Sequence, residues 1–124
     1  MKLRHFGIRV NDMDRSVSFY TGLLELRKLG GGKLRGGGRW TLLEDPKSHH
    51  RLELLWFPSP PEASSGLPPE EGLHHIGFWD AHPTSKFRTL IAKGAIQETS
   101  KAGPCGPKKQ YYLSDPDGNR IALA

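Results

Sequence analysis

A single cysteine, Cys105, stands among the 124 residues, so no intrachain disulfide can form and a reducing, cytoplasmic setting is expected. Cys105 lies in the Gly/Pro-rich loop AGPCGPKK, where no neighbouring residue supports a role as nucleophile. Long apolar runs are missing as well. Nothing approaches the roughly 20 residues a membrane helix needs, and the N-terminus lacks the apolar stretch of a signal peptide, so no membrane partner is expected. Acidic residues are the minority, 13 against 18 Lys and Arg, giving a formal charge of +5. The basic residues are scattered, however, with Lys108-Lys109 their one cluster, and no nucleic-acid motif accompanies them. The charge therefore argues for an anionic small molecule rather than nucleic acid.

What the chain does contain is a repeat. HFGIRV, beginning at His5, is echoed by HIGFWD, beginning at His75, and Asp45-Pro46 recurs as Asp115-Pro116 at the same offset of 70 residues. RLEL from Arg51 recurs one residue out of step as RIAL from Arg120. One supersecondary unit has been used twice. His5 and His75 fall at equivalent strand starts and Glu53 at a third equivalent place, a pattern of metal-ligating side chains. The fourth place holds Ala122.

Alternation and turn chemistry supply the elements. Leu3 to Val10 alternates, with Phe6, Ile8 and Val10 on one face and His5, Gly7 and Arg9 on the other, as in a half-buried strand. Asn11 and Asp12 can cap a helix whose apolar side is Met13, Val17, Tyr20 and Leu24. Gly30 to Gly38 reads as strand and turn of undetermined register. Trp40 to Leu43 and Arg51 to Phe57 are strands, the second with Leu52, Leu54 and Trp56 inward and Arg51, Glu53 and Leu55 on the opposite face. The Pro/Ser/Gly-rich stretch 58–72 is a connector. In the second unit, Ile76 and Phe78 alternate with His75, Gly77 and Trp79, so parity assigns His74 to the core face. A helix from Pro83 to Lys93 stops at Gly94, Tyr111 to Ser114 is a strand, and DPDGN from Asp115 is a turn. Arg120 to Ala124 closes the chain with Ile121 and Leu123 inward.

Each half thus reads β-α-β-β-β, an α+β fold in which two repeated units (1–57 and 73–124, joined by 58–72) form a curved mixed sheet within a single domain. Its concave face collects His5, Glu53, His75 and Ala122. The same parity brings Arg9, Trp40, Leu42, Arg51, Trp79, Tyr112 and Arg120 to that face. The aromatic residues there either pack an apolar or aromatic substrate or simply fill a small barrel. The arginines either pair an anionic group or lie solvated and tie down loops. His49-His50 and His82 sit in expected surface positions and carry no assigned role.

HFGIRVNDMDRSVSFYTGLLEL, LELLWF, GLHHIGF and YYLSDPDGNRIAL, in this order and spacing, resemble the vicinal oxygen chelate superfamily of glyoxalase I, extradiol dioxygenases, methylmalonyl-CoA epimerases and bleomycin-resistance proteins. The resemblance spans essentially the whole chain. It implies one divalent transition ion (Fe, Mn, Ni, Co or Zn) held by His5, Glu53 and His75, with Glu53 also the catalytic carboxylate. The family's fourth ligand, usually a glutamate, is replaced by Ala122. Two histidines and a carboxylate still form a workable donor set, like the facial triad of non-haem iron oxygenases.

The resemblance implies an enzyme that chelates a small molecule through vicinal oxygens, with dioxygenase-like chemistry slightly ahead of a glyoxalase-like lyase. Loss of a carboxylate counts most against an epimerase. The competing class is a non-catalytic binding or resistance module, although a pI of 9.6 suits a cationic drug such as bleomycin poorly. The family also implies a homodimer, in which the ligands meet either within one chain or across two.

Overall fold

The computed structural model describes residues 4–58, 75–97 and 111–123. The expectations attached to His74, Cys105, Lys108-Lys109 and nearly all of the connector lie outside those residues. Two compact units, Met1–Ser64 and Ser65–Ala124, divide the chain.

The first unit runs β1 (Phe6–Arg9), α1 (Met13–Ser18), a π-helical turn (Phe19–Leu23), β2 (Arg27–Lys33), a short 3-10 turn (Arg35–Gly37), β3 (Arg39–Glu44) and β4 (Arg51–Trp56). The Asp12 side chain caps α1, accepting a hydrogen bond from the Arg15 backbone N–H at 3.0 Å. That satisfies a donor the first helical turn leaves without a partner. The helix then widens. Thr21 Oγ1 donates to the Val17 carbonyl at 2.7 Å, and the Leu24 N–H reaches back five residues to Phe19. Glu25, at φ 62°, breaks the helical run and turns the chain into β2.

The sheet order is β1-β4-β3-β2, with β1 parallel to β4 and the other pairs antiparallel. Leu43 and Leu54 are fully buried, α1 packs on β3 and β4, and Met13 of α1 and Tyr20 of the π-helical turn are buried as well. Each such leucine stabilises the fold by about 1.5–3 kcal/mol.

The second unit repeats the order as β5 (Ile76–Phe78), α2 (Pro83–Ala92), β6 (Ile96–Gln97), β7 (Tyr111–Ser114) and β8 (Arg120–Leu123). Its sheet order, β5-β8-β7-β6, again joins the first strand to the last in parallel. Pro83 opens α2 and Gly94, at φ 95°, closes it. Phe87 of α2 stacks on Tyr111 at 4.8 Å, and Thr84 Oγ1 and the Tyr111 hydroxyl are 2.7 Å apart. Leu90, Leu113, Ile121 and Leu123 form the buried centre. The DPDGN turn is held by Asp115, whose Oδ1 accepts from the Asp117 and Asn119 N–H groups at 2.9 and 2.7 Å.

Three details correct or complete the sequence reading. Phe6, expected inward, is 49% exposed at the start of β1, an edge strand of its sheet among the described residues, whereas Ile8 on the same face is buried. The glycine-rich segment resolves into β2, with a register shift between Lys28 and Gly30, and the 3-10 turn. The strand after α2, which the β-α-β-β-β reading requires but to which it assigns no residues, is the two-residue β6.

Candidate functional site

Strand register decides which side chains share a face, since residues directly opposite in a ladder point the same way. In the first unit Glu53 is opposite Gly7 on one side and Leu42 on the other, and Leu42 is opposite Gly30. The next row comprises Arg9, Leu55, Trp40 and Gly32. Arg51, Glu44 and Arg27 form a row toward the other end of the strands. His5 precedes β1 and returns to this face, with its Nε2 3.5 Å from Glu53 Oε2. The two side chains are 41% and 27% exposed, so the pair is open to a ligand.

That separation tests the expected metal. Two donors each about 2.1 Å from one divalent ion, at tetrahedral or octahedral angles, stand roughly 3.0–3.4 Å apart. His5 and Glu53 therefore fit as half of a coordination set. Among the described residues, no group of three or more His, Cys, Asp or Glu side chains is arranged to hold an ion. His75 lies in the second unit, half-buried just ahead of β5.

The flanks of the pair combine charge with an apolar bed. The Arg9 guanidinium lies over the Phe57 ring, 5.0 Å from its centroid. Trp40 lies across the bare backbone of β2: a Cβ at Gly32 would stand 3.0 Å from its Nε1, and one at Gly30 3.8 Å from its ring edge. Glycines here make room for the indole. Leu42 completes the apolar side of this face beside Glu53.

One polar cluster on this face was not singled out by the sequence reading. Glu44 is only 4% exposed, yet it is fully engaged. Its Oε2 accepts from Arg27 Nη2 at 2.8 Å, its Oε1 accepts from Arg51 Nε at 3.2 Å, and His49 Nδ1 lies 3.7 Å away. The Arg27 hydrogen bond holds the Glu44 carboxyl below its ordinary value, with Arg51 and His49 adding to the effect against the opposing cost of burial. Arg51 is thus a structural tie within the sheet. His49 joins the same cluster. The missed signal was parity: Glu44 continues the Trp40–Leu42 face into the row of Arg51.

The second unit repeats the geometry with different chemistry. Gly77 is opposite Ala122, the counterpart of Gly7 opposite Glu53, so Ala122 stands at the ladder position of the absent carboxylate. Across the ladder Ala122 is opposite Tyr112, whereas Glu53 is opposite Leu42. The Arg120 guanidinium lies over the Tyr112 ring at 5.2 Å. Trp79 is 82% exposed.

Comparison with known proteins accords with this duplicated architecture. The family model described as Glyoxalase/Bleomycin resistance protein/Dioxygenase superfamily matches residues 2–123. Among solved structures, a glyoxalase family protein from Enterococcus faecalis is 22% identical, with 98% of this chain and 95% of that one covered and a TM-score of 0.80. Leishmania major glyoxalase I, described as trypanothione-dependent, is 22% identical over 99% of this chain and 85% of its own, with a TM-score of 0.74. An antibiotic binding protein from a Streptomyces species is 25% identical over 99% and 93%, with a TM-score of 0.71. No curated protein matches the chain. With nearly every residue covered by the family model and the βαβββ unit present twice, the chain belongs to the Glyoxalase/Bleomycin resistance protein/Dioxygenase superfamily.

Proposed function

We propose that this protein is a divalent-metal-dependent enzyme acting on a small molecule that offers two adjacent oxygens. The observation that carries the reading is the open His5–Glu53 pair, with donor atoms 3.5 Å apart at repeat-related strand positions. His75, at the place in the second unit equivalent to His5, is the third protein ligand in this reading. A bound transition ion (Fe, Mn, Ni, Co or Zn) would supply Lewis-acid stabilisation of negative charge developing on substrate oxygen.

The chain's own residues supply the rest. Glu53, beside the substrate, accepts and returns a proton in the lyase-like version of the chemistry. Arg9, steadied on Phe57, attracts an anionic group, while Trp40 and Leu42 offer an apolar bed for an aromatic or aliphatic body. Trp79 and Arg120 extend the substrate-binding set from the second unit. Dioxygenase-like chemistry is slightly favoured, because two histidines and one carboxylate match the donor set of non-haem iron oxygenases. A homodimer is part of the reading.

The second reading, a non-catalytic binding module, is favoured by the resemblance to an antibiotic binding protein and by Ala122 at the fourth ligand position. Elemental analysis of protein purified without added metal separates the two. About one transition ion per chain is expected for the enzyme, and none for the binder. His5→Ala and His75→Ala should each abolish stoichiometric uptake; full occupancy in either variant removes that residue from the ligand set. Oxygen uptake with catechols, set against turnover of a glutathione hemithioacetal, then distinguishes dioxygenase from lyase.

A further inference from the structure

Along the sequence the cations of 27–39 are spaced almost singly; in the fold they line one edge of a sheet. Five of these thirteen residues are Lys or Arg, and none is Asp or Glu. β2 supplies the edge. In the order β1-β4-β3-β2 it pairs with β3 alone, over seven residues. An edge strand keeps a row of backbone N–H and C=O groups that its own sheet does not use.

Register sorts the charges. Arg27, opposite Glu44, belongs to the face of the His5–Glu53 pair and is held by the Glu44 carboxylate. Lys28 and Lys33 fall on the other face, opposite Leu43 and Arg39. The shift between Lys28 and Gly30 keeps them there together. A Cβ at Gly31, the residue of that face between them, would stand 3.7 Å from Lys28 Cε. Lys33 and Arg39 are thus like charges directly opposite in a ladder, an arrangement that costs stability. Among the described residues, the countercharge beside them is Asp14, 3.9 Å from Arg39 Nη2 and itself 89% exposed. Within the same residues, Lys28, Lys33 and Arg35 of the following turn have no ion-pair partner. Leu29, at the shift itself, is 41% exposed.

Lysines on an edge discourage pairing between copies of a chain. Two β2 strands side by side would set these cations against each other, which counts against a second copy as occupant. The same charges specify what can pair, namely a segment that brings carboxylates to Lys28 and Lys33. We propose that β2 is a docking edge for an extended acidic segment of another protein, which adds to the sheet as a further strand through backbone hydrogen bonds. Its carboxylates meet Lys28 and Lys33, and an apolar side chain between them covers Leu29. The lysines lie on the opposite face of the sheet from Glu53, so docking does not depend on the proposed metal.

The test uses the full chain and a fluorescent peptide as long as β2 that alternates glutamate with valine, followed by anisotropy. Binding is expected. It should be lost when every residue of the peptide is N-methylated, which keeps the charge and removes the backbone donors. Lys28→Glu combined with Lys33→Glu should weaken the glutamate peptide at least about tenfold and gain binding of the matching lysine–valine peptide. Lys33→Glu sets opposite charges across the ladder from Arg39, so that variant should melt no lower than wild type. No binding of the glutamate peptide, equal binding of its N-methylated form, or unchanged affinity in the double variant each overturns the docking edge. An oligothymidylate that binds as tightly as the peptide would make β2 a general polyanion surface, and a wild-type dimer dispersed by the peptide would make a second copy the occupant. Either result also overturns the proposal.

Discussion

At the scale of single residues, Glu44 shows how much a strand end can carry. It is the last residue of β3, nearly buried, and its two oxygens hold Arg27 of β2 and Arg51 of β4. Because the fold lowers its pKa from 4.5, its contribution to stability is complete above about that value and is lost as pH falls through the lower folded value. Glu44→Gln should therefore melt at a lower temperature than wild type at neutral pH, and the gap should narrow on acidification below pH 4.5. Thermal unfolding from pH 7 down to 3 reads this directly, and a gap that stays constant across the range would rule out the carboxylate as its source. Sequence reading missed this residue for a definable reason. The strand was expected to end at Leu43, one residue short, and an acidic side chain beside Asp45-Pro46 looks like part of the turn. By contrast, His5 and Glu53 were legible, because the repeat and strand parity together bring them to one face.

At the scale of elements, legibility follows periodicity. β1, read from Leu3 to Val10, is shorter and runs from Phe6 to Arg9, whereas the extents of β3, β4, β7 and β8, and of α2 between Pro83 and Gly94, emerged within one residue. The π-helical turn did not, since its apolar residues recur at nearly the spacing of an α-helix and only the reach of the Leu24 N–H betrays it. Nor did the register of β2, because three successive glycines carry no alternation to read. The structure supplies the reason for those glycines. A Cβ at Gly31 would stand 2.9 Å from the Trp40 carbonyl oxygen, a backbone atom that cannot swing aside, while one at Gly30 would meet only a ring edge at 3.8 Å. Gly31→Ala should cost about 1–3 kcal/mol by overpacking, and Gly30→Ala should cost clearly less. Urea denaturation of both variants checks the contrast. A Gly31→Ala variant no less stable than Gly30→Ala would rule out the close approach of β3 as the reason for this glycine, since chain entropy alone favours alanine at both positions.

At the scale of the whole molecule, duplication supplies two ladders of the same strand order and pairing sense and leaves chemistry to be divided between them. Glu53 and Ala122 occupy the same ladder position, one half-exposed and the other buried. A carboxylate introduced at Ala122 would be desolvated and, without a cation, disfavoured. Ala122→Glu is therefore expected to melt below wild type in the presence of a chelator. An ion that binds only the folded chain stabilises it by an amount that grows with affinity, so added Co(II) or Mn(II) should raise the melting temperature of the variant by more than that of wild type. This pairing of a loss without metal and a larger gain with it separates a ligand position from an ordinary core position, where the loss would persist whatever ion is present. Should the deficit remain unchanged by metal, position 122 would be an ordinary core position and not a ligand position.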